Sequence, residues 1–140
     1  MGLLNAFSEL NRHIIFAVEY FYCNMNKSEI LEKMRSIGFK ENESKVLFVL
    51  LGGSLLSASQ IAEDAKIIRN SIYDILKEFV KKGYCNEIET NTILKYQCID
   101  PDVLKDKIER EFNRINKHKI ETLHNVINEI YDLHKKSNTE

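Results

Sequence analysis

Hydrophobic positions along this chain recur three and four residues apart over most of its length, the period of an α-helix, and turn strand-like in one short region only. In the N-terminal stretch "GLLNAFSELNRHIIFAVEYFYC", Leu3, Phe7, Leu10, Ile14, Ala17 and Phe21 alternate spacings of four and three, the a/d seam of a heptad. A helix with that seam needs a partner, either its own domain or a second subunit. Asn26 followed by Glu29 has the spacing of a capping box and predicts a second helix over about 27–37, ended at Gly38. "ENESKVLFVLLGG" is apolar around most of a helical circumference through Val46, Leu47, Val49, Leu50 and Leu51, so it reads as the core helix, ended by Gly52 and Gly53.

Ser57 and Gln60 form another capping box at the head of "SASQIAEDAKI", a short helix that buries Ile61, Ala62 and Ala65. A tight turn around Lys66 and Ile67 leads into "IRNSIYDILKEFVKKG". There Ile68, Ile72, Ile75, Leu76 and Phe79 share a stripe, while Arg69, Asn70, Ser71, Tyr73, Asp74 and Lys77 point away from the core or along its edge. Two short helices joined by a tight turn make a helix-turn-helix. "YCNEIE" and "LKYQCI", joined through "TNT", then read as a β-hairpin, and a turn centred between Asn91 and Thr92 sets Cys85 opposite Cys98. From Asp102 onward no helix breaker occurs for more than 30 residues. Apolar positions continue through Ile108, Phe112 and Ile115, change phase, and resume at Ile120, Leu123, Ile127 and Ile130.

The expected fold is mainly α with a small two-stranded β wing. It divides into an amphipathic arm over 1–25, a winged helix-turn-helix over 26–101 and a long helix over 102–136, whose length suits association. The dimerisation set is Leu3, Phe7, Leu10, Ile14 and Phe21 in the arm, with Ile120, Leu123, Ile127 and Ile130 in the last helix.

Composition agrees: 44% hydrophobic and 29% charged residues permit a core, and one Pro and five Gly in 140 residues leave few turns for an all-β fold. The net charge of −1 gives no global attraction for nucleic acid, and residues 57–100 hold six basic against seven acidic side chains. Any DNA binding must therefore rest on a local patch. Three cysteines (Cys23, Cys85 and Cys98), with no C-x-x-C spacing, fit a reducing cytoplasm and encode no zinc site. Glu9, Arg12, His13 and Glu19 interrupt the apolar N-terminus, so a membrane span and a signal peptide are both excluded there. No phosphate-binding glycine loop, G-x-S-x-G or H-E-x-x-H occurs, and the four His have no ligand spacing, so no enzyme, metal or cofactor is expected.

"IGFKENESKVLFVLL", "SASQIAEDAKIIRNSIYDIL" with Ile61-Ala62-Glu63, Arg69 and Ile72-Tyr73-Asp74, "KKGY" and "KYQCIDPDVL" occur in one order. Over about Ile30 to Leu104 this set resembles the N-terminal DNA-binding domain of TrmB-family transcriptional regulators, distant relatives of MarR-type regulators. The family usually has Gly where Lys66 stands, Pro where Ile68 stands and often a basic residue at Ser71. The large C-terminal effector domain of many members has no counterpart in these residues, so no sugar-sensing role is implied.

The resemblance implies a sequence-specific, double-stranded-DNA-binding regulator acting as a homodimer in the prokaryotic cytoplasm. Residues 69–81 would be the recognition helix, with the wing over 84–99 on the backbone. The implied DNA contacts are Ser59, Arg69, Asn70, Ser71, Tyr73, Lys77, Asn91 and Lys95. The chemistry suits them: Arg69 can grip a guanine edge, Asn70 can pair with adenine, Ser71 can reach a base or phosphate, and Tyr73 and Lys77 suit the backbone. The plainer reading of each is solvation, with Tyr73 closing the core edge and Lys95 guarding a sheet edge. The rival function is a winged-helix adaptor that contacts only proteins.

Overall fold

A computed structural model describes residues 2–139, and side chains are described for 12–19 and 26–139. Helix α1 (Gly2–Ser36) is followed by α2 (Glu41–Leu50), strand β1 (Leu56–Ser57), α3 (Ala58–Ala65), α4 (Arg69–Lys82), the wing strands β2 (Cys85–Glu89) and β3 (Leu94–Cys98), and α5 (Pro101–Asn138).

One boundary differs from the sequence reading. Asn26 does not cap a new helix, because α1 runs unbroken past it to Ser36. The capping-box spacing is present, but no Pro or Gly interrupts the chain there, and Asn is only mildly unfavourable inside a helix. Capping spacing marks a start only where the preceding residues cannot themselves be helical. The true break comes at Gly38, in the left-handed region at φ 112°.

The other caps form as expected. Ser57 Oγ accepts from Gln60 N–H at 3.2 Å, and Gln60 Oε1 accepts from Ser57 N–H at 3.0 Å. Lys66 ends α3 in the left-handed conformation, φ 55° and ψ 49°. Ile67 N–H reaches Ala62 O at 2.9 Å and Lys66 N–H reaches Glu63 O at 3.2 Å, the bond pair of a Schellman motif. The left-handed conformation explains why glycine is usual in the related domains, since a Cβ costs about 1 kcal/mol or more there. At the matching end of α4 the residue is Gly83, at φ 77°.

The hairpin has the register read from the sequence: Cys85 faces Cys98, Glu87 faces Tyr96 and Glu89 faces Leu94. The sequence reading missed β1, whose Leu56 and Ser57 pair with Tyr96 and Lys95, so the sheet has three strands in the order β1-β3-β2. Ser57 thus both closes the sheet and caps α3.

These elements enclose one core. Val46, Leu47 and Leu50 of α2, Ile61 of α3, and Ile72, Leu76 and Phe79 of α4 meet Tyr84, Cys85, Tyr96 and Leu104. Asp100 caps α5 by accepting from Asp102 N–H at 2.9 Å, and Pro101 occupies its first turn. Leu104, Ile108 and Phe112 tie that helix to the core, with the Phe112 ring 6.2 Å from Phe39. Beyond Phe112 every described residue of α5 is exposed.

Candidate nucleic-acid interface

The N-terminus of α4 carries no side-chain cap and no acidic residue in its first turn. Ser71 N–H donates back to Ile68 O at 3.0 Å, and the N–H groups of Arg69 and Asn70 and the positive end of the helix dipole meet no built-in anion. Core packing fixes the helix's orientation: Ile72, Leu76 and Phe79 are buried, which turns Arg69, Asn70, Tyr73 and Lys77 to the exposed side.

Arg69 Nε donates to the Tyr73 hydroxyl at 3.2 Å. The two side chains line a slot of about 230 Å³ with Ser57 and Ser59 of the α3 head and Leu94 and Tyr96 of the wing. Ser59, Arg69 and Tyr73, expected as DNA contacts, thus come together. Asn70 and Lys77 lie exposed along the helix, and Asn91 is exposed at the wing turn. Lys95 is half-buried on β3, between Ser57 and Ile88 in the sheet.

Ser71 falls on the other flank. It is half-buried and shares a broader concavity with Glu41, Glu43, Asp74 and Glu78, where carboxylates outnumber the two lysines, Lys40 and Lys82. The flanks of α4 thus differ in charge. A polyanion meets hydroxyls and a guanidinium on the Arg69 side and acids on the Ser71 side.

Two slot residues, Ile93 and Leu94, were not expected as contacts. They are 51% and 43% exposed, and strand alternation alone does not distinguish a core position from the open end of the same face. The floor is rigid. Tyr96 is buried and its hydroxyl donates to Glu87 Oε1 at 3.0 Å; burial and that carboxylate push its pKa up to about 12.

Cys85 and Cys98 lie opposite each other as free thiols. Burial pushes the Cys85 thiol up to about 12, and burial also raises that of Cys98, whose sulfur lies 3.7 Å from Tyr84 O. Little thiolate exists at neutral pH, so the pair packs as two small hydrophobes, Cys85 buried and Cys98 half-buried.

Among the described residues no three His, Cys, Asp or Glu come together as a metal site, and no helix is long and apolar enough to cross a membrane.

Residues 34–102 match the model of the family described as "Sugar-specific transcriptional regulator TrmB". Over 87 residues the chain is 28% identical to the HTH-type sugar sensing transcriptional regulator TrmBL1 of Pyrococcus furiosus, a match covering 62% of this chain and 25% of that protein. The chain therefore spans about a quarter of the curated relative it matches. The fold resembles that of TrmBL2, described as an archaeal chromatin protein with a novel mode of DNA binding. The TM-score is 0.62 at 19% identity, over 76% of this chain and 42% of that one. It also resembles the ST1889 protein of Sulfolobus tokodaii, with a TM-score of 0.52 at 14% identity over 64% of this chain and 93% of that one. By ordered motifs, by family model over residues 34–102 and by fold, the winged helix of this chain matches the domain of the TrmB family, a family of transcriptional regulators and not of enzymes.

Proposed function

We propose that this chain is a sequence-specific, double-stranded-DNA-binding transcriptional regulator that acts as a homodimer, with α4 in the major groove and the wing on the backbone. The observation that carries this reading is the Arg69 side of α4: an uncapped, acid-free helix start, a guanidinium, and the exposed Ser59 around one slot. Arg69 supplies a fork for a guanine edge and Asn70 a donor–acceptor pair for adenine. Ser59, Lys77, Asn91 and Lys95 serve the sugar-phosphate backbone, and Ser71, at the acidic flank, contributes least.

The second copy is supported by α5. Ile120, Leu123, Ile127 and Ile130 are 46%, 56%, 55% and 45% exposed and follow a three-four-three spacing. Val126, Tyr131 and Leu133 widen the same apolar stripe. A self-complementary seam closes it by two-fold symmetry and presents two recognition helices to a palindromic site. In this reading residues 26–101 read DNA, while 1–25 and 102–136 hold the dimer together. Leu3, Phe7, Leu10 and Phe21 lie outside the residues whose side chains are described; Ile14 is 54% exposed. The protein works at the nucleoid, in the cytoplasm.

Quantitative DNA binding separates the roles. Arg69→Ala costs about 1–3 kcal/mol per half-site and relaxes preference at one base position. Lys77→Ala weakens all sequences alike and flattens the salt slope by about one unit per half-site. Binding that neither change affects favours the protein-only adaptor instead.

A further inference from the structure

The hydrogen bond between Arg69 and Tyr73 assigns Tyr73 a different task from the phosphate contact its position suggests. We infer that Tyr73 is a positioning residue: its hydroxyl holds the Arg69 Nε–H, so that the guanidinium presents its two terminal nitrogens, end-on, to a guanine. This rests on the DNA-reading role of α4 and goes further by specifying how the base-reading side chain is prepared.

An arginine can grip a guanine edge side-on, through Nε and one terminal nitrogen, or end-on, through both terminal nitrogens. In this chain Nε is already engaged by Tyr73 Oη at 3.2 Å, across one helical turn. Only the end-on fork is left for a ligand. The Tyr73 ring, 46% exposed, lies against the slot that Leu94 and the buried Tyr96 also line. Among the described residues, no carboxylate lies within ion-pair distance of Arg69 to compete for its terminal nitrogens. A long side chain ordered before binding loses less entropy on contact, and an ordered fork discriminates more sharply between bases than a mobile one.

Tyr73→Phe removes only the hydroxyl. In the free protein, nitrogen-resolved NMR of the arginine side chains is expected to show slowed solvent exchange at Arg69 Nε–H, lost in Tyr73→Phe. With DNA, randomised-library selection is expected to show Tyr73→Phe relaxing the base position that Arg69→Ala relaxes. Affinity for the best site falls about 3- to 10-fold per half-site, with the salt slope unchanged. In an Arg69→Ala background Tyr73→Phe does nothing further, because nothing remains to position.

The inference is overturned if Tyr73→Phe weakens all sequences alike and does so with or without Arg69, which marks a backbone contact, or if exchange at Nε–H is the same in both proteins. Failure of the DNA reading looks different: Nε–H exchange still depends on Tyr73, but no sequence is selected and Arg69→Ala changes nothing. That result also overturns the role in base reading.

Discussion

Phe79 and Leu123 are both large apolar side chains at helical spacing, yet one is 1% exposed and the other 56%. Phe79 lies in the winged-helix body, where α2, α3, α4, the wing and the first turns of α5 close around a single core. Leu123 lies on the part of α5 that has left that core, as Ile14, Ile15, Phe16 and Val18 lie on the exposed described stretch of α1. Periodicity reports which face of a helix is apolar; it does not report what covers the face. In the body the cover is the chain itself. On α5 the described residues supply none, and this difference motivates the second subunit.

The comparison breaks most visibly at Phe79. Phe79→Ala should cost about 3–5 kcal/mol in urea unfolding, a large part of a small domain's stability, because the hole is walled by Leu76, Tyr84 and the rest of the core. Leu123→Asp and Ile130→Asp should leave the body's unfolding midpoint nearly unchanged in a monomer but dissociate the dimer, which light scattering at micromolar concentration reads directly. A wild-type chain that scatters as a monomer contradicts the α5 half of the comparison.

A smaller change sharpens the picture of the body. Lys66→Gly should raise stability by about 1 kcal/mol, because the lysine sits at φ 55° and glycine takes that conformation without a Cβ penalty. Its melting temperature should rise by a few degrees, with DNA affinity changed little.

A further effect is alkaline. The thiol of Cys85 moves up from 9.0, and the phenol of Tyr96 from 10.0, each to about 12. The folded state therefore keeps protons that the unfolded chain has released, so stability is full below about pH 9 and falls as pH rises from there toward 12. Urea midpoints should decline across that window, and Tyr96→Phe should remove part of the decline.

Much of this was legible in the residues. Ser57 and Gln60 announced α3, Gly83 stopped α4, and the polar "TNT" turn fixed the register that sets Cys85 opposite Cys98. Two features were not. Asn26 carried a capping signal inside a stretch that could simply continue as helix, and a two-residue strand such as Leu56–Ser57 is too short to show any period. Within the candidate site, Arg69 and Tyr73 were visible as polar positions on a helix face. Their hydrogen bond, across one turn of the same helix, needed the side-chain geometry, and the charge difference between the flanks of α4 needed the fold, because it depends on how α4 is rotated against α2 and the wing.

The most direct test of the central claim is selection from a randomised duplex library by the full chain, at low and at physiological salt, with Arg69→Ala run in parallel. The account predicts a two-fold symmetric site with half-sites about 10 base pairs apart or a multiple of that, a guanine in each half whose preference disappears with Arg69→Ala, and affinity that drops steeply with salt. Recovery of no preferred sequence at either salt, or of one that Arg69→Ala reads equally well, contradicts it.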